Sequence, residues 1–352
     1  MSASPQPTAF GRSRRPDDAW LAKLPVETVL EPDIPIIDPH HHLWERPGNR
    51  YLLDEYLADV NSGHHVIATV FEECHSMYRA SGPQEMRSVG ETEFVAGVAA
   101  MSESGTYGPT RVATGIVGNA DLMLGDRVEP VLEAHIEAAG GRFRGVRHSA
   151  GWDADEIIGN SASVTGPHLY MDADFRAGLA RLTALGLTFD AWLYHPQLAD
   201  IIDLAQSAPD ANIVMCHVGG PLGYGPYTGK GDEVFTAWKA KMTELAACPN
   251  VSVKLGGMTM RLAAFDYGTL PTPLPSVEVA AYWRPYMETC IDLFGAERCM
   301  FESNYPVEKM GISWVTLWNA FKHIAAGASE AKKRALFSGT AQRVYRLDIS
   351  DI

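Results

Sequence analysis

The sequence predicts a closed (β/α)8 barrel, on three observations. Eight β-rich apolar runs recur along the 352 residues. Most are followed by a stretch with apolar residues at helical spacing, and repeated βα units argue for a parallel sheet. Histidines and charged residues collect at the C-terminal ends of these runs, where such a barrel gathers its functional side chains. A doubly wound open sheet is the structural alternative.

Residues 1–24 are polar, rich in Ser, Pro and Arg, and read as a tail or strap. Residues 25–352 read as a single barrel domain without internal repeats. The first strand is the run at 34–37, which leads into Asp38-Pro39-His40-His41-His42. Residues 66–71 form the second strand, and 88–101 a helix. The third strand is 111–117, followed by a helix at 128–139. The fourth, 143–147, follows the turn signal Gly140-Gly141. A helix at 174–185 places Phe175, Leu179, Leu182 and Leu185 on one side. The fifth strand is 188–194, with a helix at 198–205 that ends before Pro209. The sixth is 212–216, with a helix at 232–247 for which Asp232 is the expected N-cap. The seventh is 251–255, followed by a long helix at 276–294. The eighth is 299–302, and helices at 314–326 and 330–345 end the chain. The loops at 150–172 and 256–276 follow strands four and seven and are expected to cover the site.

Composition narrows the function. The chain is 46% apolar and 20% charged, a globular profile, and its net charge of −14 argues against nucleic-acid and anionic-membrane partners. No apolar run is long enough to span a bilayer. The N-terminal arginines are followed by Pro16-Asp17-Asp18 and not by a secretory apolar stretch. Five scattered cysteines without a CxxC fit a reducing cytoplasm, with Cys216 and Cys299 as small core residues. Trp314 and Trp318, taken as exposed on a terminal helix, would allow a homodimer. Gly219–Gly231 lacks the glycine and Ser/Thr of a P-loop, and no GxSxG elbow is present.

The strand ends carry the chemistry. His40 and His42 share a face of the first strand, and His41 points away. The second strand ends in Glu72-Glu73, with His75 beyond. The fourth ends in Arg147-His148, the fifth in Tyr194-His195 and the sixth in Cys216-His217. Lys254 lies on the seventh, and the eighth ends in Glu302-Ser303-Asn304. Each has an ordinary explanation: a lone histidine is more often a satisfied structural residue than a ligand, and Lys254 can simply neutralise a carboxylate. Neutral imidazoles brought together from several strands, however, are a cation site.

With these residues in place, the chain resembles the amidohydrolase superfamily, in the branch that holds lactonases and metal-dependent decarboxylases. The resemblance rests on IIDPHHHLWE (36–45), FRGVRH (143–148), VMCHVGGP (214–221), VSVKLGG (251–257), MFESNYP (300–306) and FSGTAQRVYRL (337–347), and so covers nearly the whole chain. It implies a divalent cation, expected to be Zn²⁺, on His40, His42, His195 and His217. The Asp that usually completes the pattern corresponds to Asn304, whose neutral amide can bind a cation but takes no proton at neutral pH. Glu302 shares strand parity with Asn304 and becomes the candidate base, with Glu72 and Glu73 behind it. Arg147 is the candidate to hold a carboxylate or an oxyanion. His148, Glu73, Tyr194, Tyr224 and Lys254 are candidate substrate contacts. Three readings stay open: cation-assisted opening of a small carboxylated or sugar-derived lactone, metal-free opening of such a lactone, and a catalytically inactive small-molecule-binding barrel. The branch's decarboxylases usually carry Glu at the position of His40, which favours hydrolysis over decarboxylation.

Overall fold

The computed structural model describes residues 15–161, 166–260, 262, 267 and 270–349. Eight parallel strands stand side by side in chain order: β1 (Ile36–His41), β2 (Val66–Glu72), β3 (Arg111–Gly118), β4 (Phe143–Arg147), β5 (Thr188–Ala191), β6 (Asn212–Met215), β7 (Val251–Leu255) and β8 (Cys299–Phe301). The ring is drawn together at its C-terminal end. There Asn304 N donates to His40 O (2.8 Å) and His42 N donates to Tyr305 O (2.7 Å). This is the expected (β/α)8 barrel.

Eight helices cover the ring: α1 (Leu53–Val60), α2 (Val89–Glu103), α3 (Glu129–Ala138), α4 (Ala173–Ala184), α5 (Leu198–Ser207), α6 (Gly231–Ala246), α7 (Ser276–Phe294) and α8 (Trp314–Ile324). Asp172 caps α4 by accepting from Asp174 N, and Ser313 caps α8 by accepting from Thr316 N. Asp232 does not cap α6. It lies in the first turn, with Lys230 at the cap position, where its charge still complements the helix dipole. The expected helix at 330–345 is broken into Glu330–Arg334, a π-helical turn at Ala335–Gly339, and Thr340–Val344. Trp314 and Trp318 are buried, packing on each other and on Tyr305 and Phe321, so the argument for a dimer from their exposure falls. No helix among the described residues is long and apolar enough to cross a membrane.

The barrel interior is layered. At the bottom, Val344, Tyr345 and Leu347 of the C-terminal segment plug the ring against Ile37, Val70, Val214 and Met300. Above this apolar layer, Lys254 Nζ sits between Glu72 Oε2 (2.7 Å) and Asp190 Oδ2 (2.8 Å), with no exposed surface. The mouth lies above these charges. Near the N-terminus, Trp20 Nε1 donates to Leu270 O (3.0 Å) and Lys23 Nζ to Pro271 O (3.1 Å), which holds that segment against the loop after β7.

Candidate active site

Strand β1 aims the first two histidines. Strict alternation would put Ile37 and His40 on opposite faces. Pro39 has no N–H to give the ladder, and the pairing with β2 slips between Asp38 and His41. The slip turns His40 and His42 inward above Ile37. His41 faces the helix layer, where Nε2 meets Thr69 Oγ1 (2.9 Å) and the ring stacks on Tyr56. Asp38 ties this strand to the last: Ser303 N and Oγ donate to its carboxylate (2.9 and 2.6 Å), as does Tyr56 OH (3.0 Å). Burial pushes the Asp38 carboxyl up to about 7.

A cavity of about 300 Å³ opens at the C-terminal end of the barrel. His42, Arg147, His217 and Asn304 line it together with Trp44 and Trp192. Ser161, from the loop after β4, and Met260, from the loop after β7, also reach it. Both loops were expected to cover the site; residues 162–165, 261, 263–266, 268 and 269 of them lie outside the described chain.

His217 is backed by Glu302. Its Nδ1 lies 2.6 Å from Glu302 Oε1, and its backbone N donates to the same oxygen (3.2 Å). With Nδ1 as the donor, the Nε2 lone pair is left for the cavity. Two glycines make room for this pair: a Cβ on Gly257 would stand 2.3 Å from His217 Nδ1, and one on Gly256 would stand 2.4 Å from Glu302 Cγ. Gly257 also has a φ of +72°, which favours glycine. The other Glu302 oxygen, Oε2, is 2.6 Å from His40 Nδ1, with no donor aligned on it among the described residues.

His40 is the most enclosed histidine. Arg147 Nη1 approaches its Nε2 (3.3 Å), and Lys254 Nζ lies 3.4 Å from Nδ1. Burial holds His40 neutral, well below the usual range, and Lys254 adds to this. Burial and Arg147 do the same for His42, and burial lowers His217 against the opposing pull of Glu302. All three are therefore neutral imidazoles, the form that binds a cation.

Arg147 is held on one side only. Its Nε donates to Glu73 Oε1 (2.7 Å) and its Nη2 to Glu73 O. Burial favours the neutral form of Glu73, but the Arg147 charge more than offsets it and the carboxyl is lowered. With the approach to His40, three of the five guanidinium N–H groups are engaged among the described residues, which leaves two for a bound ligand. Glu72 lies below the cavity on Lys254, and burial, with Asp190 beside it, pushes its carboxyl up to about 8.

The remaining candidates lie elsewhere. His195 sits beside the loop after β6, where Nδ1 accepts from Leu222 N (3.2 Å) and the ring packs on Tyr227. Burial lowers it to about 4, and it does not line the cavity. His148 turns outward, accepting from Leu122 N (3.2 Å) beside Phe175. Tyr194 and Tyr224 are buried away from the lining, and Lys254 is one layer down. The sequence reading extended the fifth strand to Tyr194, whereas it ends at Ala191. Two residues apart and facing in, Asp190 pairs with Lys254 below the cavity and Trp192 lines it. Glu308, also missed, is buried behind Asn304, where burial pushes its carboxyl up to about 8.

The residues present fit a divalent cation. Among the described residues, four acidic side chains (Glu72, Glu73, Asp190 and Glu302) share two lysine or arginine partners, Lys254 and Arg147, with His75 beside Glu73 (3.5 Å). His42 carries a second sign. Its Nδ1 is 2.8 Å from Glu72 O and its Nε2 is 3.2 Å from Asn304 Oδ1. Both partners are acceptors, but a neutral imidazole has one N–H. With Nδ1 donating, the Nε2 lone pair meets the amide oxygen, an arrangement that a cation between them resolves. His40, His217 and Glu302 also offer ligand atoms within 4.8 Å of one another.

Residues 37–347 match the family described as Amidohydrolase. The chain belongs to the amidohydrolase family. It is a hydrolase of that family. An uncharacterized protein of Sinorhizobium fredii is 31% identical over 337 residues, covering 90% of this chain and 99% of the relative. An L-fucono-1,5-lactonase of Burkholderia multivorans is 28% identical over 320 residues, covering 88% and 96%. An amidohydrolase of Burkholderia multivorans, solved with bound zinc, is similar in structure with a TM-score of 0.67, at 25% identity, covering 89% of this chain and 99% of that one.

Proposed function

We propose that this amidohydrolase opens a small lactone, sugar-derived or carboxylated, by attack of water on its carbonyl. The observation that carries the reading is the His217–Glu302 pair at the edge of a cavity that also holds the open side of Arg147. Glu302 fixes the ring with Nδ1–H toward itself, so that His217 Nε2 takes the proton of the attacking water. The buried carboxylate stabilises the imidazolium, which returns that proton to the ring oxygen as the tetrahedral intermediate collapses and the ring C–O bond breaks. In this reading Glu302, expected from sequence to be the base, acts through His217. The two free N–H groups of Arg147 hold the substrate's carboxylate or the developing oxyanion. Trp44 and Trp192 add apolar lining, and about 300 Å³ accommodates a small ring. A divalent cation held by His42 and Asn304, beside the group of His40, His217 and Glu302, would polarise the carbonyl. Support from outside the chain is the lactonase relative and the zinc-binding structural one.

The test is a hydrolysis assay over a panel of sugar and carboxylated lactones, read as acid release at constant pH. Turnover of at least one class is expected, with His217→Asn losing about 10²- to 10⁴-fold in kcat. No lactone turned over, combined with CO2 release from an aromatic carboxylic acid, would replace this reading with decarboxylation.

A further inference from the structure

Asn304 is the weak point of a cation site built on the residues above. A carboxylate presents oxygen from either end, but an amide presents oxygen from one end and N–H from the other. An asparagine ligand therefore needs something to decide which end faces the site. Asn304 lies on the chain just after β8 with a φ of +51°, a left-handed conformation that asparagine tolerates better than most residues. One helical turn later the chain places Glu308, whose N donates back to Asn304 O (3.2 Å).

The Glu308 side chain is fully buried and does not line the cavity. One oxygen, Oε2, accepts from Thr259 N (3.0 Å); the other, Oε1, accepts from Asn304 Nδ2 (3.3 Å). No Lys, Arg or His pairs with it among the described residues. Its side-chain hydrogen bonds here are to one backbone N–H and to the amide of Asn304. With Nδ2 turned to Glu308, Asn304 Oδ1 is turned to His42 Nε2 (3.2 Å) and the site.

We propose that Glu308 is a positioning residue that holds the Asn304 amide with its oxygen toward the cation site. The inference rests on the cation reading given above. It accounts for an acid buried behind the position and for an amide serving where an aspartate would need no orienting partner.

The experiment is a double-mutant cycle read as Zn²⁺ affinity, by competition with a chromogenic chelator, on the full-length native protein, Glu308→Gln, Asn304→Asp and the double variant. Thermal melts check that each is folded. Glutamine has the shape of glutamate but can turn its own NH2 toward Asn304 and release the amide. Glu308→Gln is expected to weaken zinc binding about 10- to 100-fold in the native background, as loss of an outer-shell partner does. In the Asn304→Asp background, where either end of the side chain is an oxygen, the same change is expected to shift affinity by less than about threefold. Glu308→Asp, too short to reach Nδ2, replaces Glu308→Gln in the cycle if the latter does not fold. Equal zinc affinity of Glu308→Gln and native protein overturns the proposal alone. An equal loss in both backgrounds also overturns it, because Glu308 would then act through charge or packing and not through amide orientation. Native protein that binds no zinc overturns the cation reading and this inference together.

Discussion

Glu302→Gln isolates the pair on which the proposed chemistry depends. The amide keeps the shape but can present N–H to His217 Nδ1, which favours the tautomer whose proton faces the cavity. The expected result is a loss of about 10²- to 10⁴-fold in kcat with little change in melting temperature. Activity within about threefold of native would remove the dyad from the mechanism. Arg147→Met is expected to raise KM for carboxylated lactones more than for neutral ones, checked by comparing kcat/KM on the two classes. At this scale the sequence was partly legible. His40, His42 and His217 follow from strand parity and motif, and Arg147 and Glu302 from the ends of β4 and β8. His195 did not join them, because one strand was read three residues too long. Glu308 left no signal in a linear pattern: its partner is an amide, and pairing across a helical turn in an irregular segment has no periodicity.

Glycines and histidines between elements decide how the site is held. Gly257→Ala would drive a methyl group into His217 Nδ1 at a backbone angle that favours glycine. The strain is about 1–3 kcal/mol, expected as a lower melting temperature together with near-complete loss of turnover. His135, on α3, ties neighbouring elements through Thr92 Oγ1 (2.8 Å), Ser88 Oγ (3.3 Å) and Asn119 O (3.0 Å). Burial lowers it from the ordinary 6.5 to about 4. The unfolded chain therefore binds this proton first as pH falls. Stability tied to His135 is present above pH 6.5 and is lost between about 6.5 and 4, with a slope of up to about 1.4 kcal/mol per pH unit. Urea titrations at several pH values should show a shallower fall in His135→Gln by one proton's worth. An unchanged slope would contradict the assignment. Most element positions were legible, because apolar runs and helical spacing are set locally. The hairpin of Trp44–Arg46 with Asn49–Tyr51 and the helix Leu53–Val60 were not, being short and held by tertiary contacts. The break in the last helix, likewise, is imposed by packing under the barrel.

Across the whole molecule, a charged layer lies on an apolar floor. Lys254 is enclosed by Glu72, Asp190 and, 5.3 Å above its ring, Tyr345 of the C-terminal plug. Burial disfavours the ammonium, but the two carboxylates more than offset it and keep it charged. Lys254→Met leaves them uncompensated and is expected to cost about 3–5 kcal/mol, measured by denaturant unfolding. The barrel itself was readable because eight βα units leave few other topologies. The excess of acid in its interior was not, since it depends on which charges face inward. That excess, the neutral histidines and the His42–Asn304 contact form the central claim, a hydrolase whose site is completed by a divalent cation. Lactone hydrolysis before chelation, after removal of metal, and after return of Zn²⁺ tests it most directly. The account predicts activity lost on chelation and restored by zinc; full activity in metal-free protein would contradict it.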